Sequence, residues 1–477
     1  MKDLKKNMTA VIAAVLIGTM TLGGCGTAAG LLGSTGSAET ELTAEETTAE
    51  ETSSASKHSG KSGKSKAETT TEAAAEESTE AGTAAESSSG QTETEATTFT
   101  GSDAGALDTT EYFTERDLKQ TPDLSEAVYL TVKSGEDITI TEAGVYVISG
   151  NAADVTVYVD ADDDAKVQLV LDGLTVTNED SPVIYVKNAD KTFVTTTADS
   201  ALSVTGKFTA DGDTNTDGVI FSKDDLVLNG TATLTITSTD NGVVGKDKIK
   251  VTGGTYVITA SSKAIEANDE IRIADGTFVL TAGTDGLHSE NDDDDTLGHI
   301  YIGGGTFTIK AGDDGIHANS ILQIDGGTLK IQAAEGLEAT YIQINGGTVA
   351  VEASDDGINA ANKSGSYKVC VEINGGEITV VMGAGDTDGI DSNGDIVING
   401  GTVNVTANSS FDYDGSGVIN GGTVIVNGSE VSSLPNQMMG GGMNGGMNGG
   451  FGGGMNGGMN GGMNGGFGGG MGGRPRR

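Results

Sequence analysis

An acidic residue precedes glycine in five copies of one short pattern: Asp285-Gly286-Leu287-His288-Ser289, Asp314-Gly315-Ile316-His317-Ala318, Glu335-Gly336-Leu337-Glu338-Ala339, Asp356-Gly357-Ile358-Asn359-Ala360 and Asp388-Gly389-Ile390-Asp391-Ser392. If the copies stack as neighbouring strands, their carboxylates lie about 4.8 Å apart. Unpaired carboxylates at that separation repel. A divalent cation between rungs removes the repulsion, and calcium takes several oxygen ligands at once. The candidate metal ligands are therefore Asp285, Asp313, Asp314, Glu335, Asp355, Asp356, Asp386, Asp388 and Asp391. Acids before glycine are also good turn formers. That accounts for one acid per copy, but less well for the doubled Asp313-Asp314 and Asp355-Asp356.

Strand alternation points the Leu or Ile of each copy inward and the next residue outward. The outward residues form a second row: Glu266, His288, His317, Glu338, Asn359 and Asp391. Of these, His288, His317, Glu338 and Asn359 are candidate ligand contacts. The two histidines on successive rungs would equally suit a transition metal, or stand as a plain polar row. Lys263, in Ser262-Lys263-Ala264-Ile265-Glu266, fills the slot that Asp285 fills one copy later. Beside bound calcium it could act as the base of a β-elimination on a uronate. Its alternative role is to neutralise the acids. Lys363 and Lys368 lie in an insertion from which they could reach an anionic ligand. The run 292–295 of four acids reads as a solvated loop.

The elements that would position these residues follow from a second repeat. A glycine turn followed by Thr and a strand recurs as Gly253-Gly254-Thr255, Gly304-Gly305-Thr306, Gly326-Gly327-Thr328, Gly346-Gly347-Thr348, Gly400-Gly401-Thr402 and Gly421-Gly422-Thr423. Its spacing of about 20 to 29 residues is one coil of a solenoid. Helical periodicity is absent and short β-branched alternations dominate. The expected fold is all-β, a right-handed single-stranded parallel β-helix over residues 106–434, with loops at 291–298 and 361–368.

The ends of the chain are of another kind. Lys2, Lys5 and Lys6 precede a short apolar run that closes on Leu22-Gly23-Gly24-Cys25. This pattern resembles a bacterial lipoprotein signal over 1–24, with lipid on Cys25 and export to the outer face of the membrane. Residues 25–105 are rich in Ser, Thr, Ala, Gly and Glu, and too poor in apolar side chains to bury a core. They are expected to be a disordered tether with a reach of roughly 50 Å. Residues 435–477, rich in Gly, Met and Asn, are expected to be a disordered tail.

The formal net charge of −42, from 27 Lys and Arg against 69 Asp and Glu, excludes nucleic acid as a partner and favours cations. The two cysteines exclude a disulfide framework. With no Trp and 4% aromatic residues, a stacking platform for neutral sugars is weak. It would have to use Tyr301, Tyr341 or Tyr367. A monomer is expected.

Taken together, Val167-Gln168-Leu169-Val170-Leu171-Asp172-Gly173-Leu174-Thr175-Val176, Asp217-Gly218-Val219-Ile220-Phe221-Ser222-Lys223-Asp224-Asp225-Leu226 and the later Asp-Gly-Ile/Leu and Gly-Gly-Thr repeats resemble the clostridial-type secreted carbohydrate-binding β-helix domain, over about residues 110–428. The resemblance implies a parallel β-helix similar to that of pectate lyases. It also implies bound calcium and affinity for plant-wall polysaccharide, polygalacturonate and cellulose included, with binding rather than cleavage. It carries the calcium role to Asp285, Asp314, Asp356 and Asp388 with their outward neighbours. Glu335 and Lys263 depart from the pattern and put metal at their rungs in doubt. Three functions follow: a surface module for acidic polysaccharide, a calcium-dependent lyase using Lys263, and a rigid spacer or adhesin.

Overall fold

The computed structural model describes residues 107–384 and 387–436. The expected signal and tether with Cys25, nearly all of the expected tail, and Asp386 lie outside the described residues. Within them there are 34 strands and no helix. The strands pair in parallel from coil to coil, apart from the antiparallel pair of Thr423–Val426 with Ser429–Val431. The architecture is a solenoid-like stack of parallel strands.

Each coil contributes to three stacks. The first contains Ile184–Asn188, Gly218–Ser222, Asn241–Gly245, Ile265–Ala267, Leu287–Ser289, Asp356–Ala360, Asp388–Ser392 and Ser409–Tyr413. The longer strands Asp314–Ile324 and Glu335–Ile344 begin in this stack and continue into the second, which also holds Asp225–Gly230, Lys248–Val251, Glu270–Ile273, His299–Ile302, Cys370–Ile373 and Asp395–Ile398. The third is the row of Thr-led strands, from Thr233–Ser238 through Thr277–Ala282 and Thr348–Ala353 to Thr402–Thr406. Alternation turns Leu287, Ile316, Leu337, Ile358 and Ile390 into the core, where each is fully buried. Aromatic rings extend the core stacking: Phe278 lies on Phe307 with centroids 4.4 Å apart and planes at 2°.

The two glycine turns are glycine-rich for different reasons. After the second stack, Gly305, Gly327, Gly347, Gly376, Gly401 and Gly422 hold φ between 79° and 103°, where a side chain is strained. Beside them an asparagine row ties the coils: Asn374 donates to Asn345, Asn399 to Asn374 and Asn420 to Asn399, each at 2.8 Å. In the acidic turn the need is room. A Cβ on Gly357 would lie 2.4 Å from the Gly389 carbonyl oxygen and 2.3 Å from Val380. The acidic turn is therefore packed against the next coil, which fixes the rung spacing of its carboxylates.

Residues 107–120 run across the outer side of the second stack. Tyr112 meets the Tyr301 ring edge-on at 5.0 Å and lies under the Arg272 guanidinium at 3.9 Å. Buried Asp117 receives Lys250 at 3.3 Å and Lys191 at 3.7 Å. This cover corrects one expectation. Tyr301 is buried beneath Tyr112, and Tyr341 is buried with its hydroxyl on Glu372, so neither offers a face to a sugar. The outer side of the first stack keeps the polar rows.

Candidate functional site

Strand register aligns the two rows foreseen from the repeat. In the turn row, Asp314 pairs with Glu335, and Asp356 with Asp388. Two acids of this row also serve the next coil: Asp285 accepts the Asp314 N–H at 3.2 Å, and Asp356 the Asp388 N–H at 3.3 Å. In the second row, Glu266 pairs with His288, His288 with His317, His317 with Glu338, Glu338 with Asn359, and Asn359 with Asp391. The period-two argument gives the direction of these side chains but not their exposure. His288, His317, Glu338 and Asn359 point away from the core and are still nine-tenths or more buried, walled by the turn row on one side and by loops on the other.

The middle rungs set imidazoles against their acids. His288 Nδ1 lies 2.9 Å from Asp285, and His317 Nδ1 lies 2.7 Å from Asp314 and 2.8 Å from Glu338. The two imidazoles stack at 4.6 Å. Burial opposes a charge on His317, but the hydrogen bonds to Asp314 and Glu338 outweigh it and push its pKa up to about 9. Glu338 takes a second basic partner in Lys363 at 2.8 Å, and the contacts with His317 and Lys363 outweigh burial and hold it below the usual carboxylate range. Lys263 pairs with Glu266 at 3.1 Å, which makes it a neutralising partner of this row. Among the described residues, only Asp314, His317 and Glu338 bring three ligating atoms within 4.8 Å of one another.

The later rungs hold acids without a built-in cation. Burial, reinforced by the charges of Asp356, Asp412 and Asp388, pushes Asp391 up to about 7. Burial likewise raises Asp356 to about 6, helped by Asp388, Asp355 and Glu338. Glu335 is pushed up to about 7 by burial and the neighbouring acids, against a hydrogen bond from Asn359. The Oδ1 atoms of Asn359, Asp388 and Asp412 are buried with no hydrogen-bond partner. Three orphaned oxygens on adjoining rungs, amid carboxyls that resist ionising together, form the hard donor set that calcium takes. Asp356, Asp388, Asp391, Asp412 and Asn359 are the residues that would hold it.

Asp412 escaped the sequence reading because its coil reads Ser409-Ser410-Phe411-Asp412-Tyr413 and lacks the acid-glycine signal. Its pairing with Asp391 reveals it. Taking Phe411 as the inward equivalent of Ile390 puts Asp412 at the next, outward position. Asp313 and Asp355 are exposed at the edge of the turn. The 291–298 and 361–368 insertions pack together, with Ser364 and Ser366 donating to Asp295 and Tyr367 to the Thr296 carbonyl. They flank a polar cleft of about 390 Å³ lined by Asp292 to Asp295, Asn319 and Lys363. Lys363 thus reaches the site. Lys368 turns instead to Asp395, in the second stack.

Comparison with known proteins places this geometry in context. A family model described as carbohydrate-binding domain-containing protein matches residues 134–387 and 339–437. A carbohydrate-binding domain-containing protein of Acetivibrio thermocellus is 32% identical over 126 residues, 25% of this chain and 44% of that protein. The chain therefore spans less than half the length of that relative. A solved structure, described as the polysaccharide lyase-like protein from C. thermocellum in a gadolinium derivative, aligns at 27% identity with a TM-score of 0.42. It covers 44% of this chain and 92% of the other.

Proposed function

Because this chain belongs to the family of carbohydrate-binding domain-containing proteins, we propose that it binds an acidic plant polysaccharide, polygalacturonate above all, through calcium on its later acidic rungs. The observation that carries the reading is the set of orphaned oxygens on Asn359, Asp388 and Asp412 beside the half-buried Asp391 and Asp356. Calcium supplies positive charge that the protein's own rungs lack there. Its remaining coordination sites accept uronate carboxylates, which turns repulsion between two anions into attraction. The rungs stack along one line, so an extended chain can follow them. A neutral glycan such as cellulose fits less well, since Tyr301 and Tyr341 are covered. In this reading the coils wind as a right-handed, single-stranded β-helix, monomeric and held outside the cell.

Incubating the protein with polygalacturonate and calcium tests this reading. Depletion of the polymer from solution without unsaturated products is the expected result. Unsaturated products lost on Lys263→Ala would establish a lyase instead. The proposed anchor has a separate test. Cys25→Ala should move the protein from the membrane fraction to the medium, and identical fractionation of both forms would remove lipid attachment from the account.

A further inference from the structure

The row that carries the acids begins with aromatic rings and a second set of charges. Register places Tyr158 beside Tyr185, Tyr185 beside Phe221, and Phe221 beside Val244, continuing into Glu266 and His288. Val186 and Gly245 both pair with Ser222. The residues that follow them, Lys187, Lys223 and Lys246, therefore occupy one position on three successive coils. Their ammonium groups lie over the rings: Lys187 is 4.8 Å from the Tyr158 centroid and 4.9 Å from that of Tyr185, Lys223 is 5.9 Å from Tyr185, and Lys246 is 5.8 Å from Phe221. The same position then becomes Asn268 and Glu290 on the next two coils, so the face changes sign along its length.

Three like charges on adjacent rungs repel, and in a chain with 69 acids and 27 basic residues the nearest remedy would be an acid opposite each. Only Lys187 has one, Asp211 at 2.9 Å. Among the described residues no carboxylate lies within ion-pair distance of Lys223 or Lys246, although Asp211 lies near enough to feel the charge of Lys223 and Asp217 that of Lys246. The rings beneath help to hold the ammonium groups, by about 0.5–1 kcal/mol each at exposed sites, and leave their outer hydrogens free for a ligand.

We propose that Lys223 and Lys246, with Lys187 at their margin, form an anion subsite for the carboxylates of the same polyuronate that calcium holds further along the face. This rests on the reading proposed above and gives that site a second, metal-free contact. From the Lys223 rung to the Asp356 rung is six coils, or about 29 Å at the usual strand spacing. One extended acidic chain would thus meet ammonium groups at one end of the face and calcium at the other. Neutral polymer gains nothing from the lysines.

The test is binding of polygalacturonate to the full chain in calcium, for wild type, the Lys223→Gln/Lys246→Gln variant, and a Lys133→Gln/Lys330→Gln control with the same change in charge. The subsite variant should lose about tenfold in affinity and show a weaker dependence on salt. The control should bind as the wild type does. All three should gain equal thermal stability from calcium, which shows that the fold and the metal rungs are intact. Wild-type affinity in the subsite variant, or an equal loss in the control, overturns the subsite while leaving calcium-mediated binding in place. Failure of the wild type itself to bind overturns the underlying reading, and the subsite with it.

Discussion

Replacing Asp391 by Asn is expected to raise the melting temperature of the metal-free protein and to remove most of the stabilisation that calcium gives the wild type. Asp391 is held in a buried row, where burial and the charges of Asp356, Asp412 and Asp388 push its pKa up to about 7. In the unfolded chain it titrates near the ordinary value of about 3.9. Between roughly pH 4 and pH 7 the folded state therefore binds more protons than the unfolded one, and this group makes stability fall as pH rises through that window. Asparagine keeps the shape without the charge, so the variant should show less of that fall. Calcium acts in the opposite sense. Present at a hundredfold excess over its dissociation constant, a cation that binds only the folded state adds about 2.7 kcal/mol. In a domain of this size that is a rise of roughly 4 °C. Thermal melts at pH 5 and 7.5, in chelator and in calcium, measure both effects. A variant less stable than wild type in chelator, yet with the full calcium gain, would show that Asp391 is not a ligand.

Removing two acids of the later rungs together should cost far more affinity than removing the histidine of the middle rungs. For Asp388→Ala/Asp391→Ala we expect a loss of roughly a hundredfold for polygalacturonate in calcium, from two charge-assisted contacts of about 1.5 kcal/mol each. For His317→Gln the expected loss is under about threefold. His317 already neutralises Asp314 and Glu338, so those carboxylates have little need of a metal. Equilibrium binding of both variants decides between the rungs. A larger loss in the histidine variant would move the metal to Asp314 and Glu338.

The solenoid and its two acidic rows were legible in the sequence because a coil repeats both its glycines and its inward residues. Asp285, Asp314, Glu335, Asp356 and Asp388 fell on one row from spacing alone. Which rungs need metal was not legible. It depends on whether a cation arrives from elsewhere in the coil, as Lys363 does from the 361–368 insertion, or from the next rung, as His317 does for Glu338. Asp412 was hidden because its coil dispenses with the acid-glycine turn. The lysine row was hidden because its aromatic partners, Tyr185 and Phe221, look like core residues in a strand and show their place only through pairing across coils.

In the proposed function, calcium joins the acidic rungs to a polyuronate. The most direct measurement is the binding isotherm of polygalacturonate, first in chelator, then with calcium restored to the same sample. Binding is expected to be weak or absent in chelator and to return in full with calcium. An isotherm unchanged by chelator, after complete removal of metal, would contradict it.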